Sequence, residues 1–102
     1  MEQNFSITLE SGEESDHVRF SGIIDINSEE QLQNLADRLC NNMIIFDFSD
    51  TGRINSMGVA YLLRCLKKIR QRSDVEITIR GLSPVNAMLF KMTGVFLLAH
   101  PE

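Results

Sequence analysis

Apolar residues along the first quarter of the chain alternate with polar ones. "FSITL", Phe5 to Leu9, and "HVRFSGIID", His17 to Asp25, read as two strands joined in a hairpin by the polar turn "ESGEESD", Glu10 to Asp16. The period then changes. Leu32, Leu35, Ala36 and Leu39 recur at spacings of three and four, behind Ser28, Glu29, Glu30 and Gln31, which fit an S-x-x-Q capping box with acids in the first turn. This predicts a helix from Ser28 to about Leu39 with one apolar stripe against a sheet. "MIIFDF", Met43 to Phe48, predicts a strand buried on both faces. "MGVAYLLRCLKKIRQR" returns to helical spacing through Val59, Leu62, Leu63, Leu66 and Ile69, with Arg64, Lys67, Lys68, Arg70 and Arg72 outside or at the C-terminal end, where the dipole favours cations. "VEITIRG" alternates as a strand. "SPVNAMLFKMTG" supplies a cap at Ser83, proline at the first helical position and glycine past the end.

The predicted order is β β α β α β α, followed by an apolar tail. Strands alternating with helices need crossover connections, so the sheet is expected to be largely parallel with helices packed on it. The loops at the carboxyl ends of such strands are the usual place for function, and one of them carries Ser56.

Composition narrows the classes. A chain of 102 residues is expected to form one domain, 1–102, with neither repeats nor a linker. The longest apolar run, "VFLLA", is far short of a membrane span, and "MEQNFS" lacks the basic and apolar regions of a signal peptide, so a soluble, cytoplasmic protein is expected. Cys40 and Cys65 show neither C-x-x-C nor zinc-ligand spacing and are expected to be reduced core thiols. The net charge of -4 argues against nucleic acid as partner. Residues 1–51 carry eleven acids against two bases, giving -9, whereas residues 52–102 carry three acids against eight bases, giving +5. A chain so divided suits a protein partner.

Three chemistries fit the stretch around Ser56. Asn55 or Ser56 can be a helix N-cap, though no Glu or Gln follows to complete a capping box. Gly58 falls in the first helical turn, where glycine costs about 1 kcal/mol against alanine, so a core neighbour or a partner is expected close to its backbone. A nucleophile elbow is disfavoured: Ile54 stands where its first glycine belongs, seven residues (Ser49 to Asn55) separate strand from serine, and the only histidines, His17 and His100, lie in a strand and in the tail. The third reading is a hydroxyl that is modified.

Here the sequence resembles the STAS domains, especially the bacterial anti-sigma factor antagonists. Their pattern is an apolar strand ending in D-L-S, a short loop, then D-S-S-G-L-G. Asp47-Phe48-Ser49 and Asn55-Ser56-Met57-Gly58-Val59 stand in those places, "FSGIID" matches a G-x-L-D at the end of the second strand, and "GLSPVNAMLFKMTGV" matches the segment of strand, S-P turn and helix. The resemblance implies a single α/β STAS-like domain with a mixed, largely parallel sheet of four to five strands and helices packed on it. It implies a binding module without enzymatic activity, cofactor or metal. Its partner would be a serine protein kinase of the histidine-kinase-like ATPase fold, itself an anti-sigma factor, that phosphorylates Ser56 and binds only the unphosphorylated form. A PP2C-type phosphatase would reverse the mark. Asp25, Asn55, Ser56, Met57 and Gly58 would form the partner-binding surface, in bacterial control of transcription; the whole chain also resembles small single-STAS regulators of biofilm formation.

Two departures stand out. Asn55 replaces the usual aspartate, keeping the cap but dropping a charge, and with the sequence ending at Glu102 a final helix found in many family members is not expected, so that a surface left for self-association is expected. Asp25 also reads as a turn residue ahead of Ser28. Val59 reads as core, Met57 and Tyr61 as partner contacts, the run from Arg64 to Arg72 as a solvated face or, alternatively, a surface for an acidic partner patch, and Ser49, Thr51 and Ser83 as alternative phosphosites. The rival functions are a STAS subunit held permanently on the ATPase of a lipid-transport ABC complex, and a small-ligand or nucleotide sensor holding an anion at the helix N-terminus. No glycine-rich phosphate cradle favours the latter.

Overall fold

The computed structural model describes residues 4–102. In chain order its elements are β1 (Ser6–Ser11), β2 (Ser15–Ile24), a 3-10 turn (Ile26–Ser28), α1 (Glu29–Arg38), β3 (Met43–Ile54), α2 (Ser56–Ile69), β4 (Glu76–Arg80), α3 (Pro84–Thr93), a second 3-10 turn (Val95–Leu97) and β5 (His100–Pro101). The five strands form one sheet in the order β1-β2-β3-β4-β5. β1 and β2 pair antiparallel as the expected hairpin, but the turn is shorter than Glu10 to Asp16, because Glu10, Ser11, Ser15 and Asp16 lie in the strands; every later pair is parallel. The α/β class and the largely parallel sheet are as expected. The apolar tail adds a fifth strand, because the His100–Pro101 backbone pairs with Thr78 and Ile79 of β4.

One face of the sheet is buried. Val18, Phe20 and Ile24 of β2, Ile44, Phe46 and Phe48 of β3, and Ile77 and Ile79 of β4 are all buried, and they match across the strands, with Val18 opposite Phe46, Ile44 opposite Ile77 and Phe46 opposite Ile79. Phe20 stacks on Phe48 with centroids 4.6 Å apart, and Phe90 of α3 meets Phe48 edge-on at 5.3 Å. The other face carries His17, Arg19, Asp47 and Arg80 in the open or half-buried. β3 is therefore buried on one side, not two: Met43 is exposed and Ile45 and Asp47 only half-covered. Contiguous apolar letters cannot distinguish a two-sided strand from a one-sided strand with a lone Ile on its open face.

β3 also runs six residues beyond "MIIFDF". The polar segment Ser49 to Ile54 stays extended because ten-residue β2 offers it backbone partners, with Ser21 opposite Asp50, Gly22 opposite Thr51 and Ile24 opposite Ile54, across two register shifts. The expected long loop before Ser56 is thus strand, and Asn55 alone separates β3 from α2.

Three further expectations are corrected. Ser28 does not cap α1 with its side chain; its hydroxyl accepts from the Asp25 N–H at 3.1 Å, closing a capping box one turn earlier, on the 3-10 turn. Cys65 is core, but Cys40 is exposed in the α1–β3 connection. Arg70 and Arg72 belong to no solvated face: Arg70 donates to the carbonyls of Leu98 (2.8 Å) and Val75 (2.6 Å), and Arg72 to that of Asn41 (3.0 Å), tying the end of α2 to three separate segments. The division of charge along the chain is partly cancelled in space, since Arg64 faces Glu29 at 3.7 Å and Lys68 faces Asp37 at 3.2 Å across the α1–α2 contact. Asp16, fully buried, accepts from the N–H groups of Cys40 (2.6 Å) and Asn41 (2.9 Å) and from Asn41 Nδ2 (3.0 Å), fixing the connection that launches β3.

Candidate functional site

The site is built where β2 and β3 end side by side. Ile24 is the last residue of β2, and its carbonyl accepts the Asn55 N–H at 3.2 Å, so the two strand ends and the turns that follow are stitched together. Asn55 takes an extended conformation, and its Oδ1 accepts the Gly58 N–H at 2.9 Å. Asn55 is therefore the cap of α2, and Ser56 is the first helical residue, exposed, with its hydroxyl outside the cap. Met57 follows at 43% exposure, and Val59 is core as expected. Tyr61, expected as a partner contact, is only 6% exposed and lies in the core, with the Arg64 guanidinium 5.7 Å over its ring.

Gly58 is buried. A Cβ there would overlap the Ile24 carbonyl oxygen and lie 2.9 Å from Ile24 Cγ2, so the close neighbour foreseen for this glycine is the end of β2. α2 can start this near β2 only because the residue has no side chain.

Asp25 caps the adjacent 3-10 turn, its Oδ1 accepting from the Asn27 N–H at 2.9 Å. That turn packs against α2 and holds Ile26 out at 60% exposure. The structure thus places the turn carrying Asp25 and exposed Ile26 against α2, whose first residues are exposed Ser56 and Met57, with buried Gly58 against the end of β2. Ile26 was missed in the sequence, where one apolar letter between Asp25 and Asn27 fits no periodic pattern. A bulky apolar residue alone in a polar turn was the available signal.

The other hydroxyls of this region are engaged. Ser49 Oγ donates to Asp47 Oδ1 at 2.6 Å, Thr51 Oγ1 to the Phe48 carbonyl at 2.6 Å, and Ser83 Oγ accepts the Asn86 N–H at 3.2 Å as the cap of α3. Asp47 and Ser49 form a local brace. Burial raises the Asp47 pKa, but the Ser49 hydroxyl and N–H, with Arg19 and Arg80, outweigh it and hold the carboxyl below its usual range. Gly81, at φ 79°, leaves no room for a Cβ against Ser49 and Asp47, so the D-F-S and G-L-S-P segments lock into each other as architecture.

An acyl-transfer arrangement does not form at Ser56, although the strand-to-helix turn is as tight as an elbow requires. His17 pairs with Ile45, and His100 pairs with Thr78, itself opposite Ile45, so both histidines lie level with the start of the sheet. From His17 to Ile24 along β2 is roughly 23 Å at the usual rise of a strand. Among the described residues no group of three or more His, Cys, Asp or Glu side chains comes together to hold a metal ion, and no helix is long and apolar enough to cross a membrane.

A single sheet with one buried face, and an exposed serine opening the helix after its central strand, define a small α/β module with that corner open to solvent. The sequence matches the STAS domain family over residues 11–100, and the chain belongs to that family. Solved structures share the fold. The anti-sigma factor antagonist SpoIIAA in its unphosphorylated form aligns with a TM-score of 0.74 at 19% identity, over 95% of this chain and 88% of that one. An anti-sigma factor antagonist from Mycobacterium paratuberculosis aligns at 0.73 and 17% identity, over 96% and 85%. The Bacillus cell fate determinant SpoIIAA in its phosphorylated form aligns at 0.67 and 19% identity, over 95% and 91%. No curated protein is matched by the sequence.

Proposed function

We propose that this STAS domain is a phosphorylation-controlled partner switch of the anti-sigma factor antagonist type, a cytoplasmic binding module without catalytic activity. Unphosphorylated, it binds a serine protein kinase of the histidine-kinase-like ATPase fold that is also the anti-sigma or equivalent regulatory protein. Phosphorylation of Ser56 releases that partner, and a PP2C-type phosphatase restores binding. The output is bacterial transcription or biofilm formation. The observation that carries this reading is the exposed Ser56 hydroxyl at the first position of α2, left free by the Asn55 cap and followed by exposed Met57, with exposed Ile26 on the turn packed against the same helix. That structural neighbours include anti-sigma factor antagonists, one described in both phosphorylation states, supports it.

The mechanism is electrostatic. A phosphoserine brings about -1.5 to -2 charges, which the free N–H groups and dipole at the start of α2 stabilise, so the fold tolerates the mark. A partner surface fitted over Ile26 and Met57 has to desolvate that charge. An unpaired buried charge costs several kcal/mol, and at about 1.4 kcal/mol per tenfold the affinity falls by roughly a hundredfold or more. Asn55 in place of the family's aspartate lowers the repulsion met by the incoming phosphate.

The test is to use Ser56→Ala as bait in cells of the source organism, identify the captured protein and the modification state of wild-type bait by mass spectrometry, then measure affinity and melting with and without phosphate on Ser56. Expected are a retained kinase-fold partner for Ser56→Ala, phosphate on Ser56 of the wild type, and lost affinity with an intact fold. Unchanged affinity on phosphorylation, or loss that accompanies unfolding, overturns the mechanism.

A further inference from the structure

Helix α3 has two unlike sides. Phe90 is fully buried, and Asn86, 5% exposed, donates from Nδ2 to the Gly52 carbonyl at 3.0 Å, anchoring the helix over the far end of β3. Away from these, Val85, Met88 and Met92 stand at i, i+3 and i+7 with exposures of 77, 57 and 77%. Leu97, in the 3-10 turn that follows Gly94 directly, is a further exposed apolar residue at 87%. Lys91 is the one charged residue of α3, and it lies beside the ridge, not in it.

The composition of this ridge selects its occupant. It offers no charge or hydrogen-bonding group for a polar partner to match, and a helix that lies in a lipid surface carries several cations beside its apolar stripe, where α3 has one. An uncharged ridge spaced i, i+3, i+7 is complementary to its own image across a two-fold axis. The four exposed side chains present roughly 500 Å² per copy, so a pair buries on the order of 1,000 Å², the lower limit for a specific dimer.

We propose that α3 is a self-association surface through which two copies of this chain pair, Val85, Met88 and Met92 of one copy packing on the same residues of the other. The contact is symmetric and closed, so assembly stops at the dimer. An interface of this size belongs with the weak, reversible class.

Sedimentation equilibrium of the full chain from about 1 to about 500 µM tests this, with circular dichroism melting on the same samples. The wild type is expected to pass from monomer to dimer across that range. Met88→Glu combined with Met92→Glu is expected to raise the dissociation constant at least about a hundredfold, since two copies would bury like charges face to face. Both side chains stand in solvent, so the variant monomer should keep its fold; the neutral pair Met88→Gln and Met92→Gln gives a second reading with a smaller loss. A wild type that stays monomeric at the highest concentration, a dimer that survives the glutamates, growth beyond the dimer, or binding to lipid vesicles in place of self-association each overturns the proposal.

Discussion

Gly58→Ala sets two effects of opposite sign against each other, and the structure decides between them. Within a helix the change is ordinarily favourable by up to about 1 kcal/mol, because alanine loses less backbone freedom on folding. At position 58 the new methyl would overlap the Ile24 carbonyl oxygen and lie 2.7 Å from its carbonyl carbon, and those are backbone atoms that cannot rotate away. The same carbonyl accepts the Asn55 N–H, so separating α2 from β2 also stretches the bond that joins the two turns. Overpacking of this kind costs about 1–3 kcal/mol and a weakened hydrogen bond about 1 more, leaving a net loss of about 2 kcal/mol after the helical gain. For a domain of this size that lowers the melting temperature by about 10 °C. Gly52→Ala is the matched control, since a Cβ there meets only Ile23 Cγ1 at 4.0 Å and should leave stability within about 0.5 kcal/mol. Thermal and urea unfolding by circular dichroism read both variants. A Gly58→Ala protein as stable as the wild type, or more so, would refute the packing argument and leave the glycine to be explained by the partner.

Two further outcomes follow from buried groups. Burial raises the Asp16 pKa, but hydrogen bonds from Asn41, Ser11 and Cys40 outweigh it and hold the carboxyl below its usual value of 3.8; its stabilisation is complete above that value and is lost as the pH falls through the lower folded one. Asp16→Asn should therefore cost roughly 2 kcal/mol near neutral pH, with a gap in melting temperature to the wild type that closes in acid; a gap constant down to about pH 2.5 would contradict this. Burial pushes the Cys65 thiol up to about 12, and the side chain is 3% exposed, whereas Cys40 is exposed. Maleimide should label the native protein once, at Cys40, and a second time only in denaturant, as mass spectrometry of the intact chain will show.

The sequence by itself determined the elements whose signals are local. Alternation in Phe5 to Leu9 and His17 to Asp25, the three-and-four spacing of Leu32 to Leu39 and Val59 to Ile69, and the S-P and glycine bounds of α3 each depend on a few neighbouring residues, and each element formed, the first two strands and α1 with ends one or two residues from those read. The S-M-G-V signature and the family it points to were legible for the same reason. Tertiary structure decided what depends on residues far apart in the chain. Ser49 to Ile54 became strand because β2, some thirty residues away, supplies its hydrogen bonds, and this moved Ser56 from the end of a loop to a sharp corner. Which hydroxyl stays free could not be read from composition, since Ser49, Thr51 and Ser83 differ from Ser56 only in the partners folding gives them. Gly58 is explained by a carbonyl on another strand, Arg70 and Arg72 by three carbonyls on other segments, and Ile26 becomes part of the site only when its turn packs against α2. A backbone carbonyl leaves no trace in the sequence, so contacts made to the main chain are the ones that only the folded molecule reveals.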